Sequence, residues 1–207
     1  AALIDAIAAA ETSGHDLVRA RAMVLRLNVA SNLSQQDATR AWIPMARAIV
    51  LRVAPDTPLE ALLWTNIGLV EYRSYHFEAA EKHHRHALQI LDRIALDGPE
   101  RITVLLHLGM VLWARERRAD GVLVLTEAES LVRTTLGADH PSLANIYIAL
   151  ANVQSDPSAS PAYYERAIAI AERVFGQVHP TVAAALASLA ELQLFDGEAA
   201  LALRNAD

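Results

Sequence analysis

Leu136-Gly137-Ala138-Asp139-His140-Pro141 returns further along the chain as Phe175-Gly176-Gln177-Val178-His179-Pro180. Each copy follows an apolar-periodic stretch. Each sets Gly where a helix stops and Pro where the first turn of the next helix tolerates it. A period of about 40 in a helical sequence reads as stacked helix pairs, that is, a solenoid. Such an array offers an extended concave surface to another protein and rarely houses chemistry.

Outward from this echo the punctuation continues. Gly14, Pro55 and Gly98 also follow apolar stretches, as helix terminators do. Thr57-Pro58-Leu59-Glu60 combines a Thr N-cap, Pro at the first helical position and Glu at the third, a capping box. Ser34 with Asp37 is a weaker version, and Ser160-Pro161 starts a helix in the same way. Between these marks apolar residues recur at three and four, as in Leu88, Leu91 and Ile94 or Ile168, Ile170, Ala171 and Val174. No strand alternation competes. The pattern predicts helices over 3–12, 16–31, 35–53, 58–73, 77–95, 100–116, 119–136, 141–153, 161–175, 180–195 and 197–205. Pro44 either kinks the third of these or marks its true start.

The helices echo one another. Arg47-Ala48-Ile49, His86-Ala87-Leu88, Glu127-Ala128-Glu129 and Arg166-Ala167-Ile168 recur at a nearly constant interval of about 40. Ile67-Gly68, Leu108-Gly109, Leu150-Ala151 and Leu189-Ala190 repeat in the same rhythm. Small residues at both places let facing helices approach closely. Short connections make consecutive helices antiparallel neighbours.

This pattern resembles the tetratricopeptide repeat, which has a small residue at position 8 of helix A and Ala at positions 20 and 27 of helix B. With Gly68 at position 8, Trp64 falls at 4, Ile67 at 7, Ala80 at 20 and Ala87 at 27. The next repeat has Gly109, Gly121 and Ala128. The third has Ala151 and Ala167 but lacks three residues in its inter-helix loop, Ser155-Asp156-Pro157-Ser158-Ala159. The fourth has Ala190 and Ala202. The Gly-x-x-His-Pro linker and the long period resemble the kinesin-light-chain type of this repeat. The resemblance implies an all-α α-solenoid, a right-handed superhelix of antiparallel helix pairs. Residues 1–57 are then divergent N-terminal helical repeats or a cap. Repeats follow over 58–98, 99–140 and 141–179, with an incomplete one over 180–207.

Composition narrows the function. The chain of 207 residues is 53% hydrophobic and carries a net charge of −6. Nucleic-acid binding calls for a basic stripe, so that class is not expected. Without cysteine there are no disulfides or thiolate metal sites. No apolar run approaches the roughly 20 residues that span a bilayer, and no basic segment opens a secretory signal. The chain starts without Met and stops inside a helical pattern, which reads as a piece of a longer, cytoplasmic protein. Lys82 is the single lysine among 18 basic residues, a bias associated with GC-rich bacterial genomes.

Chemical constellations are few. His83 and His86 lie three apart on one helix, within reach of a shared metal, with Glu81 or His76 as a further ligand. The alternative is a solvated helix face, and no metal or cofactor is assigned. His140 and His179 precede Pro at corresponding turns and read as linker residues that pack on or cap the next helix. No Gly-x-Ser-x-Gly, Ser-x-x-Lys or kinase signature appears, and no catalytic residue is assigned. In the resembling family, positions 2, 5, 9, 12 and 13 of helix A line the concave face. Carried over, these give Thr65, Leu69, Tyr72 and Arg73, then Leu106, Met110 and Trp113 with His107 adjacent. They continue as Asn145, Ile148 and Asn152, then Glu191, Leu194 and Phe195. Asn145 and Asn152 suit a peptide backbone, and Tyr72, Met110 and Trp113 suit apolar anchoring.

The reading is a protein- or peptide-binding scaffold or sensor module, not an enzyme. Bacterial arrays of this kind resemble the C-terminal regions of serine/threonine protein kinases, which would make this a regulatory region of a signalling protein. A second reading is self-association through the apolar helix around Ala199-Ala200-Leu201-Ala202-Leu203.

Overall fold

The computed structural model describes residues 2–32, 39–154 and 157–195, and every described element is helical. In chain order these are α1 (Ala2–Thr12), α2 (Asp16–Asn32), α3 (Ile43–Val53), α4 (Pro58–Arg73), α5 (Phe77–Arg93), α6 (Pro99–Ala114), α7 (Arg118–Thr135), α8 (Ser142–Val153), α9 (Ser160–Phe175) and α10 (Pro180–Phe195). A 3₁₀ turn, Pro157–Ala159, leads into α9. The expected helix over 197–205, the cap at Ser34 and Asp37 and the apolar segment around Leu201 lie outside the described residues, as does the Phe195 side chain.

The helix starts follow from local chemistry. Thr57 caps α4 by accepting the Glu60 N–H at 3.4 Å, and the Glu60 carboxylate accepts from the Asp56 N–H at 2.7 Å. The box therefore closes one residue earlier than its pattern states. Pro44 does not kink a long helix; it occupies the first turn of α3, where its missing N–H costs nothing. Ser160 is not a cap. It is the first residue of α9, and its hydroxyl donates to the Ala151 carbonyl at 2.9 Å.

The helix ends were only partly marked by glycine. Tyr75, Ala95 and Glu116 hold positive φ of 62°, 50° and 60° without being glycine. After each, the next N–H reaches back to a carbonyl in the last turn of the helix: His76 to Glu71, Leu96 to Leu91 and Arg117 to Leu112. This is the left-handed Schellman stop. Gly98 terminates nothing; its carbonyl accepts from Ile102 at the start of α6.

The chain forms two compact units, Ala1–Val111 and Leu112–Asp207. In the first, α1 packs on α2, α2 on α3 and α4, and α4 on α5. A short turn joins α4 to α5, so this tightly packed pair runs antiparallel. Its core gathers Met23, Leu27, Ile49, Leu63, Ile67 and Leu91. Buried Asn66 ties α4 to α2 by donating to the Val24 carbonyl at 2.9 Å. In the second unit, α8 packs on α7 and α9, and α9 on α10. Small residues sit at the contacts there too, with Ala144, Ala171 and Val182 in one cluster and Ala151, Tyr164 and Leu189 in another.

Both histidines of the echo serve structure. His140 Nδ1 accepts the Ser142 N–H and His179 Nδ1 accepts the Thr181 N–H, each at 3.2 Å. The His179 ring also stacks on Phe175 with centroids 4.2 Å apart. Each imidazole thus satisfies one of the orphan donors at a helix start.

Candidate functional site

The A helices of the first unit, α4 and α6, leave a cleft of about 230 Å³ between them. Its α4 wall is Ala61, Leu62 and Thr65; its α6 wall is Pro99, Glu100, Thr103 and Val104. Ala61 and Val104 are buried and form an apolar floor, while Pro99, Glu100 and Thr103 are exposed at the mouth. The two hydroxyls are oriented by their own helices. Thr65 donates to the Ala61 carbonyl at 2.8 Å and Thr103 to the Pro99 carbonyl at 2.9 Å. With their protons so engaged, both oxygens keep lone pairs for an incoming N–H. Glu100 adds one negative charge. The cleft suits an apolar side chain on an extended peptide with a basic neighbour.

Thr65 is the one expected groove residue that lines this cleft, and it is itself only 2% exposed. Leu69 is buried in the first unit, and Tyr72 packs on Phe77 with centroids 5.6 Å apart. Arg73 is exposed and Met110 half-buried. In the second unit Trp113, Asn145 and Glu191 are exposed. Ile148 packs beside Ala151 and Tyr164, and Asn152 is engaged by the Tyr164 hydroxyl. Two of the other cleft residues follow from a signal in the sequence. Position 2 of the same repeat pattern falls on Leu62 in one repeat and on Thr103 in the next.

The histidine-rich stretch of α5 turns Lys82 and Arg85 to water, while His84 is buried and His83 and His86 are half-buried against an aromatic neighbour. His83 stacks on Trp64 at 5.3 Å and His86 meets the same indole edge-on at 4.8 Å. Arg47 lies over the ring at 4.9 Å, and the indole N–H donates to Glu60 at 3.1 Å. Glu81 is held by Arg85 and His76 by Glu71. Among the described residues no three metal-ligating side chains gather.

His107, expected beside the groove, instead pairs with His84 of α5. His84 is fully buried, with its ring 5.6 Å from that of His107. Among the described residues, neither ring nitrogen of His84 nor Nδ1 of His107 has a hydrogen-bond partner. Burial drives the His84 pKa well below the ordinary histidine value, helped by His107 and His83. Burial likewise lowers His107 to about 4, with Arg73 adding to the shift. Both rings are neutral at physiological pH.

The tetratricopeptide repeat family model matches residues 154–181. BtubC (BKLC) from P. vanneervenii is similar in structure, with a TM-score of 0.77 at 19% identity, covering 100% of this chain and 89% of that one. A Podospora anserina putative kinesin light chain with nearly identical TPR-like repeats is similar at a TM-score of 0.68 and 17% identity, covering 91% and 93%. A substituted form of it gives 0.68 and 16%, covering 90% and 91%. No curated protein matches the sequence. The fold is that of the tetratricopeptide-type α-solenoids, which are typically non-catalytic scaffolds for protein interaction. No helix among the described residues is long and apolar enough to cross a membrane.

Proposed function

We propose that this chain is a peptide-binding scaffold whose first unit takes an extended segment of a partner protein in the cleft between α4 and α6. The carrying observation is the cleft itself: an apolar floor at Ala61 and Val104, two oriented hydroxyls and the Glu100 carboxylate. The peptide offers one apolar side chain to the floor beside Thr65, a backbone N–H to the exposed Thr103 hydroxyl, and Lys or Arg to Glu100. Stacked helices hold these groups in place before binding, so little ordering entropy is lost at the interface. Tyr72, Arg73 and Met110 extend the surface in the same unit, with the His107 ring packed beneath them against His84, and Trp113, Asn145, Ile148, Asn152 and Glu191 serve the later repeats. The working units of the array are the repeats over 58–98, 99–140 and 141–179, preceded by a divergent region over 1–57. In context, we place it in the cytoplasm as the sensing part of a larger bacterial signalling protein, with the regulatory region of a serine/threonine kinase as the specific case.

Selection of a random peptide library on the chain tests the site. Enriched sequences should pair an apolar residue with Lys or Arg. Thr103→Arg, an exposed change, should abolish their binding with the helical circular dichroism unchanged. Enriched peptides that bind Thr103→Arg as well as the parent would overturn the cleft assignment.

A further inference from the structure

The second unit carries a cleft of different chemistry. About 310 Å³ in volume, it lies between the B helices α7 and α9, with Arg133 on one wall, Arg166 and Arg173 on the other and Tyr147 of α8 between them. Arg166 and Arg173 are seven apart, so two helical turns place them on one face. Three guanidinium groups converge here in a chain whose net charge is −6.

The three are held differently. Arg133 is fixed: its Nε donates to Glu129 at 3.0 Å and its Nη2 to the Tyr147 hydroxyl at 2.5 Å. The Tyr147 hydroxyl in turn donates to Glu129 at 2.9 Å. Tyr147 is 2% exposed, so this corner of the cleft is built from the interior. Arg173 is paired with Asp139 at 2.6 Å, but both side chains are solvent-exposed, and Asp139 belongs to the turn after the positive-φ Gly137. Such an exposed pair is worth little and exchanges readily. Arg166 lies 5.8 Å from the Tyr163 ring and, among the described residues, meets no carboxylate. Stacking on a ring face leaves the guanidinium edge open to a planar, bidentate acceptor.

We propose that this cleft is a binding site for a phosphoryl group, which displaces Asp139 from Arg173 and is bridged by Arg166 and Arg133. The charges decide the ligand class. With Asp139 in place the three arginines face two carboxylates, leaving +1. With Asp139 displaced the cleft stands at +2 against Glu129 alone. A phosphomonoester carries about −1.5 to −2 near neutral pH and fills that deficit, whereas a carboxylate only reproduces what Asp139 already supplies. Asp139 is thus a built-in competitor that occupies the site until a stronger anion arrives. The group is carried either by a phosphorylated side chain of a partner or by a small phosphate ester.

Titration calorimetry on the full chain at constant ionic strength tests this with four probes. They are inorganic phosphate, a short capped peptide with a central phosphoserine, the same peptide with Ser, and the same peptide with Glu. Phosphate and the phosphopeptide should bind and compete. Tighter binding of the phosphopeptide assigns the group to a protein partner, and tighter binding of phosphate assigns it to a small ester. Arg166→Gln should weaken binding about tenfold, the scale of one lost charge-assisted pair. Asp139→Asn should strengthen it several-fold, an effect that general unfolding cannot mimic. Both positions are exposed, so circular dichroism should be unchanged. Binding of the Glu peptide as strong as that of the phosphopeptide overturns the phosphoryl assignment. So does unchanged or weaker binding by Asp139→Asn, or no heat from either phosphate probe.

Discussion

Gly68 with His84 and Ala151 with Tyr164 are the same contact in two repeats. In each, a small residue of helix A faces a ring of helix B. The later pair is closer in sequence, by as much as the inter-helix loop of that repeat is shortened. Tyr164 ends in a hydroxyl that reaches Asn152, so its polar end is satisfied. His84 brings two ring nitrogens to an equally buried place and satisfies neither among the described residues. The second repeat shows that no polar ring is required there: Leu125 occupies the matching position and is fully buried. Repeat geometry dictates a bulky group against a small one, and it leaves open whether that group ionises.

That difference makes the first unit the acid-sensitive one. His107 is depressed to about 4 from 6.5, mainly by burial and secondarily by Arg73, and His84 shifts the same way. A lowered histidine pKa means the unfolded chain binds more protons between the two values. Stability is therefore full above about 6.5 and falls as the pH drops toward 4. For His107 alone the loss is about 3 kcal/mol, and protonating either ring opposes protonating the other. Hydrogen exchange should show the amides of α5 and α6 losing protection between pH 6.5 and 4, while α8 and α9 keep theirs. His84→Leu, copying the second repeat, should keep the neutral-pH stability and reduce the pH dependence. An unchanged dependence in that variant would refute the role given to the pair.

A smaller effect tests the geometry of the contact itself. A Cβ on Gly68 would sit 2.6, 2.8 and 2.9 Å from three ring atoms of His84. The ring is enclosed and cannot swing away without opening the core. Gly68→Ala should therefore cost about 1–2 kcal/mol, because overpacking outweighs the roughly 1 kcal/mol that Ala contributes to helix propensity. At the matching place Ala151→Gly should also destabilise, by about 1 kcal/mol, since the helix loses propensity and the ring loses a methyl contact. Urea melts of the two variants check both signs. Stabilisation by Gly68→Ala would mean that His84 is free to move.

How much of this was legible depended on where the cause lay. The helices over 58–73 and 180–195 were readable to the residue, because capping chemistry and helical periodicity are local. Gly68 was readable as a close-approach position because the period repeats it. The rings that surround Trp64 were not. His83, His84 and His86 are neighbours in sequence, yet two pack on an indole and one enters the core, which depends on how α4 and α5 face each other. The α4–α6 cleft is not legible for a related reason: aromatic and amide residues further along the helices carry the local signal, while the open space lies over Leu62 and Thr103, where the approach of two helices decides it.

The turns between repeats give the finest test, because a positive-φ step recurs with different residues. Asp56, Ala95, Gly137 and Gly176 all have positive φ, one at each successive repeat boundary. Gly176, at φ 80° and ψ 168°, sits where only glycine is at ease. Ala95, at φ 50°, bears a Cβ clash of about 1 kcal/mol, held in place by the Leu96 to Leu91 hydrogen bond that stops α5. Ala95→Gly relieves the clash but loosens the unfolded chain by about 0.4–1 kcal/mol. The net effect should be a stabilisation of no more than about 0.5 kcal/mol, readable as a small rise in the urea midpoint at an unchanged slope. A clear loss instead would show that the Ala95 methyl makes a contact worth more than its strain, and that non-glycine turns in this array are held by packing.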